Sequence, residues 1–160
     1  MLPHIPEGLF PVSLLKPTTT NGSAVATDFI NVGKAQMVYI VVHLAQTVGH
    51  ATAVAVERAT AAGSGNAAIA NAVPIWYGNV TTSTNALTRQ TDAVSYTLGG
   101  SVTGDVFVIF QIDPATLGTT YKFVGVTFND SSQATNFAEV TAFIVPRYEA
   151  QTGDQIDYLA

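Results

Sequence analysis

The sequence contains no cysteine and few basic residues, and both features exclude classes of protein. Without cysteine, the 160-residue chain has no disulfide framework, no thiolate zinc site, no iron–sulfur cluster and no cysteine nucleophile. Its six Lys and Arg residues are scattered singly against eleven Asp and Glu residues. No basic stripe is therefore available to neutralise a row of phosphates, and we expect no nucleic-acid partner.

Charge of either sign is also scarce. Charged side chains make up 11% of the chain and hydrophobic ones 48%, for a net charge of −5, whereas a typical soluble domain carries about 25% charged residues. A chain of about 150 residues buries roughly 68–70% of its unfolded surface, so one domain can hold a sizeable core. The low charge indicates a large core, a membrane, or a surface that another molecule covers.

The membrane alternative depends on residues 35–56, which are 22 consecutive uncharged residues. A break at Gln46–Gly49 divides this stretch into two runs with period-two alternation, which is typical of two strands and a turn. The chain also lacks aromatic girdles beside each strand, and its first ten residues lack the pattern of a secretory signal. We therefore expect a hairpin and no membrane partner.

Strand patterns separated by Gly, Asn, Asp, Ser and Thr account for most of the chain. Eight strands are predicted, at residues 28–32, 36–44, 51–59, 75–80, 93–98, 105–112, 121–129 and 138–145. Glycines interrupt the alanine-rich run at residues 59–70, and each destabilises a helix by about 1 kcal/mol relative to alanine. This run therefore does not predict a helix. The predicted fold class is all-β, an antiparallel β-sandwich of jelly-roll or β-tulip type.

Both ends differ from this body. Residues 1–26 hold four of the seven prolines and are predicted to form an extended arm, because proline fixes φ and removes a donor. The arm is too apolar for a solvated tail, so it packs on its own domain or on a neighbouring subunit. The predicted domains are this arm, a sandwich at residues 27–147 and a tail at residues 148–160.

Candidate chemistry is sparse. His43 and His50 flank the predicted hairpin turn, but no third or fourth ligand occurs at a recognisable spacing, so we expect no metal and no cofactor. Ser64 lies between two glycines without the strand and helix of a nucleophile elbow, and the carboxylates do not form a pair at a recognisable site. We therefore predict no catalytic residue and no enzyme.

One binding alternative concerns aromatic residues. Trp76 and Tyr77 beside Asn79 offer rings that stack on sugars, although an isolated Trp in a strand is more often a core or interface residue. A carbohydrate-binding sandwich therefore stays open as an alternative.

Several segments carry a resemblance to a known family. Residues 28–33 read Asp-Phe-Ile-Asn-Val-Gly and precede an apolar strand at 37–44; the turn Asp113-Pro114-Ala115-Thr116-Leu117 leads into residues 121–126; and the strand 138–145 runs into Pro146-Arg147-Tyr148. This order resembles small structural proteins of tailed bacteriophages, of the kind that coat or cement the capsid. The resemblance covers roughly residues 28–148.

The resemblance implies a non-enzymatic virion protein on the outer surface of an icosahedral capsid. It implies the major capsid protein and further copies of the chain as partners, most often in a trimer; a tail or head-fibre module is the structural alternative. Because interfaces are poor in charge, the predicted contacts are apolar residues of the two ends. In the arm they are Ile5, Leu9, Phe10 and Leu14, and in the tail Tyr148, Ile156, Tyr158 and Leu159. The alternative for these residues is that they cover the domain's own sheet edges.

Overall fold

Period-two alternation of side chains runs through the long strands of the structure, a computed structural model that describes residues 8–80 and 86–148. In the longest strand, Ala35–Gln46, the side chains from Val38 to Gln46 are alternately buried and half-buried. Successive side chains of a strand point to opposite faces of the sheet. One face of this strand therefore lies in the core, and the other faces outward.

Twelve strands lie in the described residues. They are β1 (Phe10–Thr19), β2 (Val25–Ala26), β3 (Ile30–Asn31), β4 (Ala35–Gln46), β5 (Ala53–Ala59), β6 (Ala67–Ala68), β7 (Val73–Val80), β8 (Thr88–Ala93), β9 (Ser95–Thr97), β10 (Gly104–Ile112), β11 (Phe123–Phe128) and β12 (Phe137–Pro146). Apart from a 3₁₀ turn at Pro114–Thr116, this part of the chain contains no helix. The predicted all-β class is confirmed, and all eight predicted strand segments contain strands.

The strands form two antiparallel sheets that enclose one core. A six-stranded sheet has the order β1-β12-β4-β10-β7-β8, and the second sheet has β2, β11, β5 and β6 in line, with β3 beside β11 and β9 beside β5. Apolar side chains from both sheets meet in a single cluster that includes Phe110, Ile144 and Phe128. The chain is therefore an antiparallel β-sandwich.

The predicted hairpin at residues 35–56 is wrong, although both of its strands exist. β4 pairs with β10 and β12 in the six-stranded sheet, whereas β5 pairs with β11, β6 and β9 in the second sheet. The turn between β4 and β5 thus crosses from one sheet to the other. Alternation in the sequence predicts a strand but does not select its partner, because both sheets offer an apolar inner face.

The proline-rich arm contributes an edge strand to the domain. β1 pairs with β12 from Phe10↔Ile144 to Thr19↔Phe137, with register shifts between Ser13 and Leu15 and between Leu15 and Thr18. Proline is tolerated in a strand at a sheet edge, where a missing N–H costs no ladder bond. Of the two alternatives for the arm, residues 10–19 follow the one in which it packs on its own domain.

Buried polar side chains fix the connections at one end of the sandwich. Gln46 at the end of β4 donates its amide Nε2 to the Thr52 hydroxyl at 2.7 Å, and both residues are buried. The Thr20 hydroxyl donates to Ser131 Oγ at 2.8 Å, which ties the end of the arm to the loop after β11. The first bond holds the turn that crosses between the sheets and the second holds the end of the arm, because leaving either partner of a buried hydrogen bond unsatisfied is costly.

Gly125 in β11 permits a close approach on the outside of the second sheet. A β-carbon at this position would lie 3.0 Å from Thr27 Oγ1 and 3.1 Å from the Phe29 ring. The Thr27 hydroxyl oxygen also accepts a bond from the Val126 N–H at 3.1 Å. A side chain at position 125 would therefore displace the segment between β2 and β3.

Candidate interaction surface

The six-stranded sheet presents an apolar surface on the side that faces away from the second sheet. This outer face is defined here by six half-buried residues from four adjacent strands: Tyr39, Val41, Trp76, Phe107, Ile109 and Phe143. Directly opposite residues of antiparallel strands point to the same side of a sheet, and the register pairs Val41 with Ile109 and Ile109 with Trp76. The outward side of an antiparallel sheet is commonly polar, so these side chains are unusual there.

A histidine and two carboxylates lie at one end of the outer face. His43 Nε2 lies 3.1 Å from Asp105 Oδ1, and the imidazole stacks on the Phe107 ring with centroids 4.8 Å apart. Glu139 is directly opposite His43 on β12. This end of the face therefore holds two carboxylates beside one imidazole.

A cation lies at the opposite edge of the same face. The Arg89 guanidinium on β8 sits 4.9 Å from the centre of the Trp76 ring and forms an ion pair with Asp92. Arg89 also donates to the backbone carbonyl oxygens of Ile75 and Gln90. The outer face thus carries charge of both signs, at separate places around an apolar centre.

Ala86 and Leu87 cover one corner of the outer face. A β-carbon at Gly78, which pairs with Phe107, would lie 2.9 Å from Leu87 Cδ2 and 3.0 Å from the Ala86 carbonyl oxygen. A glycine at this position is what allows that segment to cross β7.

The two histidines of the predicted turn do not face each other. His43 lies at one end of the outer face and stacks on Phe107, whereas His50 Nδ1 lies 3.4 Å from Thr52 Oγ1 in the crossing turn. The described residues contain no group of three His, Asp or Glu side chains able to hold a metal ion. Nor does this part of the chain include a helix long and apolar enough to cross a membrane.

The residues of the carbohydrate alternative do not share one surface. Trp76 points outward, but the Arg89 guanidinium lies over its ring. Tyr77 points inward and packs against the core, with its ring 5.3 Å from the Tyr96 ring. Burial, and secondarily the neighbouring Tyr77, raise the pKa of Tyr96. The amide oxygen of Asn79 is buried. Successive strand residues alternate between faces, so the sequence neighbours Trp76 and Tyr77 cannot form one platform.

The predicted contact residues of the two ends have different environments. Leu9 and Phe10 are half-buried, with Phe10 packed against the core, and Leu14 is 2% exposed inside it. Tyr148, just after β12, is 76% exposed. The remaining predicted contacts lie outside the described residues: Ile5, Ile156, Tyr158 and Leu159.

A shallow cleft of about 400 Å³ lies on the other side of the sandwich. It is lined by Thr27, Asp28, Phe29, Ala62 and Gly63. The Thr27 hydroxyl donates to the Asp28 carbonyl oxygen at 2.9 Å, so it is already engaged. These lining residues supply one carboxylate and no paired base or nucleophile.

Asp130 joins the loop after β11 to the end of the arm. Its Oδ1 accepts bonds from the backbone N–H groups of Ser132 at 2.7 Å and Gly22 at 2.9 Å. These bonds lower the pKa of the carboxyl group below its ordinary value of 3.8. The folded structure therefore favours the ionised form of the Asp130 carboxyl group.

The outer face was missed by analysis of the sequence, although a signal for it exists. Residues 37–42 of β4 are all apolar or aromatic, so both of its faces are apolar. A run of this kind predicts a strand with protein on both sides. The same residues form part of the uncharged stretch at residues 35–56, whose length alone is also compatible with a membrane span.

Comparisons with known proteins give one structural likeness. No family model matches the chain, and no curated protein matches it significantly. Among solved structures, the chain is similar to the SPBc2 prophage-derived protein YomS, with 10% sequence identity and a TM-score of 0.47 over 85% of this chain and 91% of that chain. At this identity and score, the likeness does not extend to function.

Proposed function

We propose that the chain is a non-enzymatic structural protein of a bacteriophage particle. In this proposal it binds the major capsid protein on the outside of an icosahedral capsid and stabilises the shell as a homo-oligomer. The observation that carries the proposal is the outer face, a sheet surface of apolar side chains on a chain with 11% charged residues. Such a surface is suited to burial against protein, because the cores of interfaces are depleted of charge.

The physical role of such a protein is thermodynamic. A protein that binds only the assembled shell stabilises that state by mass action, without new chemistry. The sequence resemblance to phage proteins that coat or cement capsids supports this role. The surroundings of three polar groups also support it. His43 contacts Asp105 and His50 contacts Thr52, and the residues that line the cleft around Asp28 supply no second reactive group.

The test begins with location. Antibody-labelled electron microscopy of the phage particles that contain the chain should place the label on the capsid. Label on the tail or on a fibre would contradict the proposal and support the tail or head-fibre alternative.

Stability of the shell provides the second measurement. Adding the purified chain to capsids that lack it should raise their melting temperature in proportion to occupancy. Saturating amounts that leave both occupancy and melting unchanged would contradict the proposal.

The contribution of the two ends requires deletions that respect the sheet. Removing residues 1–26 would delete both β1 and β2, so the informative variants lack residues 1–7 or residues 149–160, with all described strands retained. If the ends contact the capsid, each deletion should reduce occupancy while the isolated chain keeps its melting temperature.

A further inference from the structure

We propose that Asn21 is a site of spontaneous deamidation, and that the hydrogen bond between Gly22 and Asp130 slows this reaction in the folded chain. Asn21 and Gly22 are exposed, and they lie in the loop between β1 and β2, where the chain passes from the six-stranded sheet to the second sheet. The reaction needs no enzyme, because the backbone nitrogen of the next residue is the nucleophile. The inference is independent of the proposed function.

The reaction closes a succinimide ring on the backbone. A hydroxide ion removes the proton of the Gly22 N–H, the nitrogen bonds to Cγ of Asn21, and the Cγ–Nδ2 bond breaks, so that ammonia leaves with a proton from water. A water molecule then opens the ring at one of its two carbonyl carbons. Opening at Cγ gives aspartate, whereas opening at the backbone carbon gives isoaspartate, in which the chain continues through the former side chain.

The surroundings of Asn21 and Gly22 leave this ring closure unhindered. A β-carbon at Gly22, which has a φ of +94°, would meet no neighbouring atom within 4 Å. Among the described residues, the side-chain amide of Asn21 has no hydrogen-bond partner. The amides of Asn129 and Asn136 differ, because each of them bonds to the backbone of another segment. The Asn21 side chain is therefore free to turn toward the Gly22 nitrogen.

Asp130 holds the nitrogen that must attack. Its Oδ1 accepts bonds from the Gly22 N–H at 2.9 Å and from the Ser132 N–H at 2.7 Å. The nitrogen reacts only after its bond opens, and the negative charge of the carboxylate opposes removal of the Gly22 proton. The bonds from Ser132 and Gly22 also lower the pKa of Asp130, so this carboxylate is a poor base for that proton.

The product changes the connection between the arm and the domain. Deamidation replaces a neutral amide with a carboxylate, one residue before the N–H group that Asp130 binds. Thr20, on the other side of Asn21, is buried and donates its hydroxyl to Ser131 Oγ. Like charges repel, so the modification weakens the bond between Gly22 and Asp130, beside the contact that ties the end of the arm to the loop after β11.

Incubation of the full folded chain at mildly alkaline pH tests the inference, with peptide mass spectrometry and enzymatic detection of isoaspartate as readouts. Asn21 should become modified slowly, whereas Asn66, an exposed asparagine followed by alanine, should stay unmodified in the same sample. Asp130→Ala should raise the rate at Asn21 by about tenfold or more, because a hydrogen bond to a charged group is lost.

The matched control is Asp113→Ala. Asp113 Oδ1 also accepts a backbone N–H bond at 2.9 Å, from Ala115, but it does so at the start of the 3₁₀ turn. This variant should deamidate at Asn21 as fast as the wild type. Asp130→Asn keeps an oxygen that can accept the bond and guards against a failure to fold; with circular dichroism like that of the wild type, its rate should lie between those of the wild type and Asp130→Ala.

A comparison in concentrated urea separates the fold from the local sequence. The wild type and Asp130→Ala should react there at one rate, because the bond between Gly22 and Asp130 is absent from both unfolded chains. A difference that persists in urea would overturn the inference. So would an Asn21 that stays unmodified in both folded proteins, or that reacts no faster in folded Asp130→Ala than in the folded wild type.

Discussion

Replacing Leu14 with alanine tests whether the proline-rich arm belongs to the core of the domain. Leu14 is 2% exposed and packs in the main apolar cluster, and its carbonyl oxygen accepts a bond from the Asp28 N–H at 3.0 Å. In the sequence, the same residue is a candidate contact for a neighbouring subunit. The two roles predict different results for the isolated chain.

The expected cost follows from burial. Leu14→Ala removes three carbon groups at about 0.8 kcal/mol each, or roughly 2.4 kcal/mol of transfer free energy. The space left behind adds to this cost, so the free energy of unfolding should fall by about 3 kcal/mol. For a chain of this size, 1 kcal/mol shifts the melting temperature by about 2–4 °C, which predicts a decrease of roughly 6–12 °C.

The assay is thermal and denaturant unfolding of the isolated chain, with Leu87→Ala as the control. Leu87 is 45% exposed, so the same chemical change should cost less than about 1 kcal/mol there. If Leu14→Ala melted like the wild type, the core position of Leu14 and of β1 would be refuted. A loss of capsid occupancy without a loss of stability would instead support a contact role.

Three further changes test the packing and the electrostatics. Gly125→Ala should lower the free energy of unfolding by about 1–3 kcal/mol because its methyl group meets neighbours at 3.0–3.1 Å, whereas Gly100→Ala, with open space around it, should be nearly neutral in the same denaturant titration. Thr52→Val removes the acceptor of the buried Gln46 amide and should cost about 1–3 kcal/mol, with Thr52→Ser closer to the wild type. Because the pKa of Asp130 is lower in the folded chain than its ordinary value of 3.8, its ionised carboxylate stabilises the fold above pH 3.8. This stabilisation is lost as the pH falls through the pKa of the folded state. Asp130→Asn should therefore flatten the acid limb of a plot of melting temperature against pH, and an unchanged limb would contradict this role.

The strands were largely predictable, and their partners were not. Alternation over residues 36–44, 105–112 and 138–145 identifies β4, β10 and β12, because each must bury one side against a core. The same alternation led to a hairpin of β4 and β5 that does not exist, since sequence neighbours on either side of a turn can enter different sheets. β8 was missed because five of its six residues are polar or charged and its alternation gives no apolar side.

The candidate interaction surface was likewise only partly predictable from the sequence. Low charge and an apolar excess indicate from composition alone that some surface is covered. The location of that surface depends on the fold, because Val41, Trp76 and Ile109 are far apart in the chain and become neighbours only through the register of β4, β10 and β7. A property of a sheet face depends on several strands at once, so no single window of sequence contains it.

By itself, then, the sequence determined the all-β class, the positions of most strands and the shortage of charge, since each follows from composition or from local period. Only the tertiary structure decided that residues 10–19 complete a sheet, that β4 and β5 separate, and that part of the apolar excess lies on one outward face. These outcomes depend on which strands pair, and strand pairing is set by burial over the whole domain rather than by neighbouring residues.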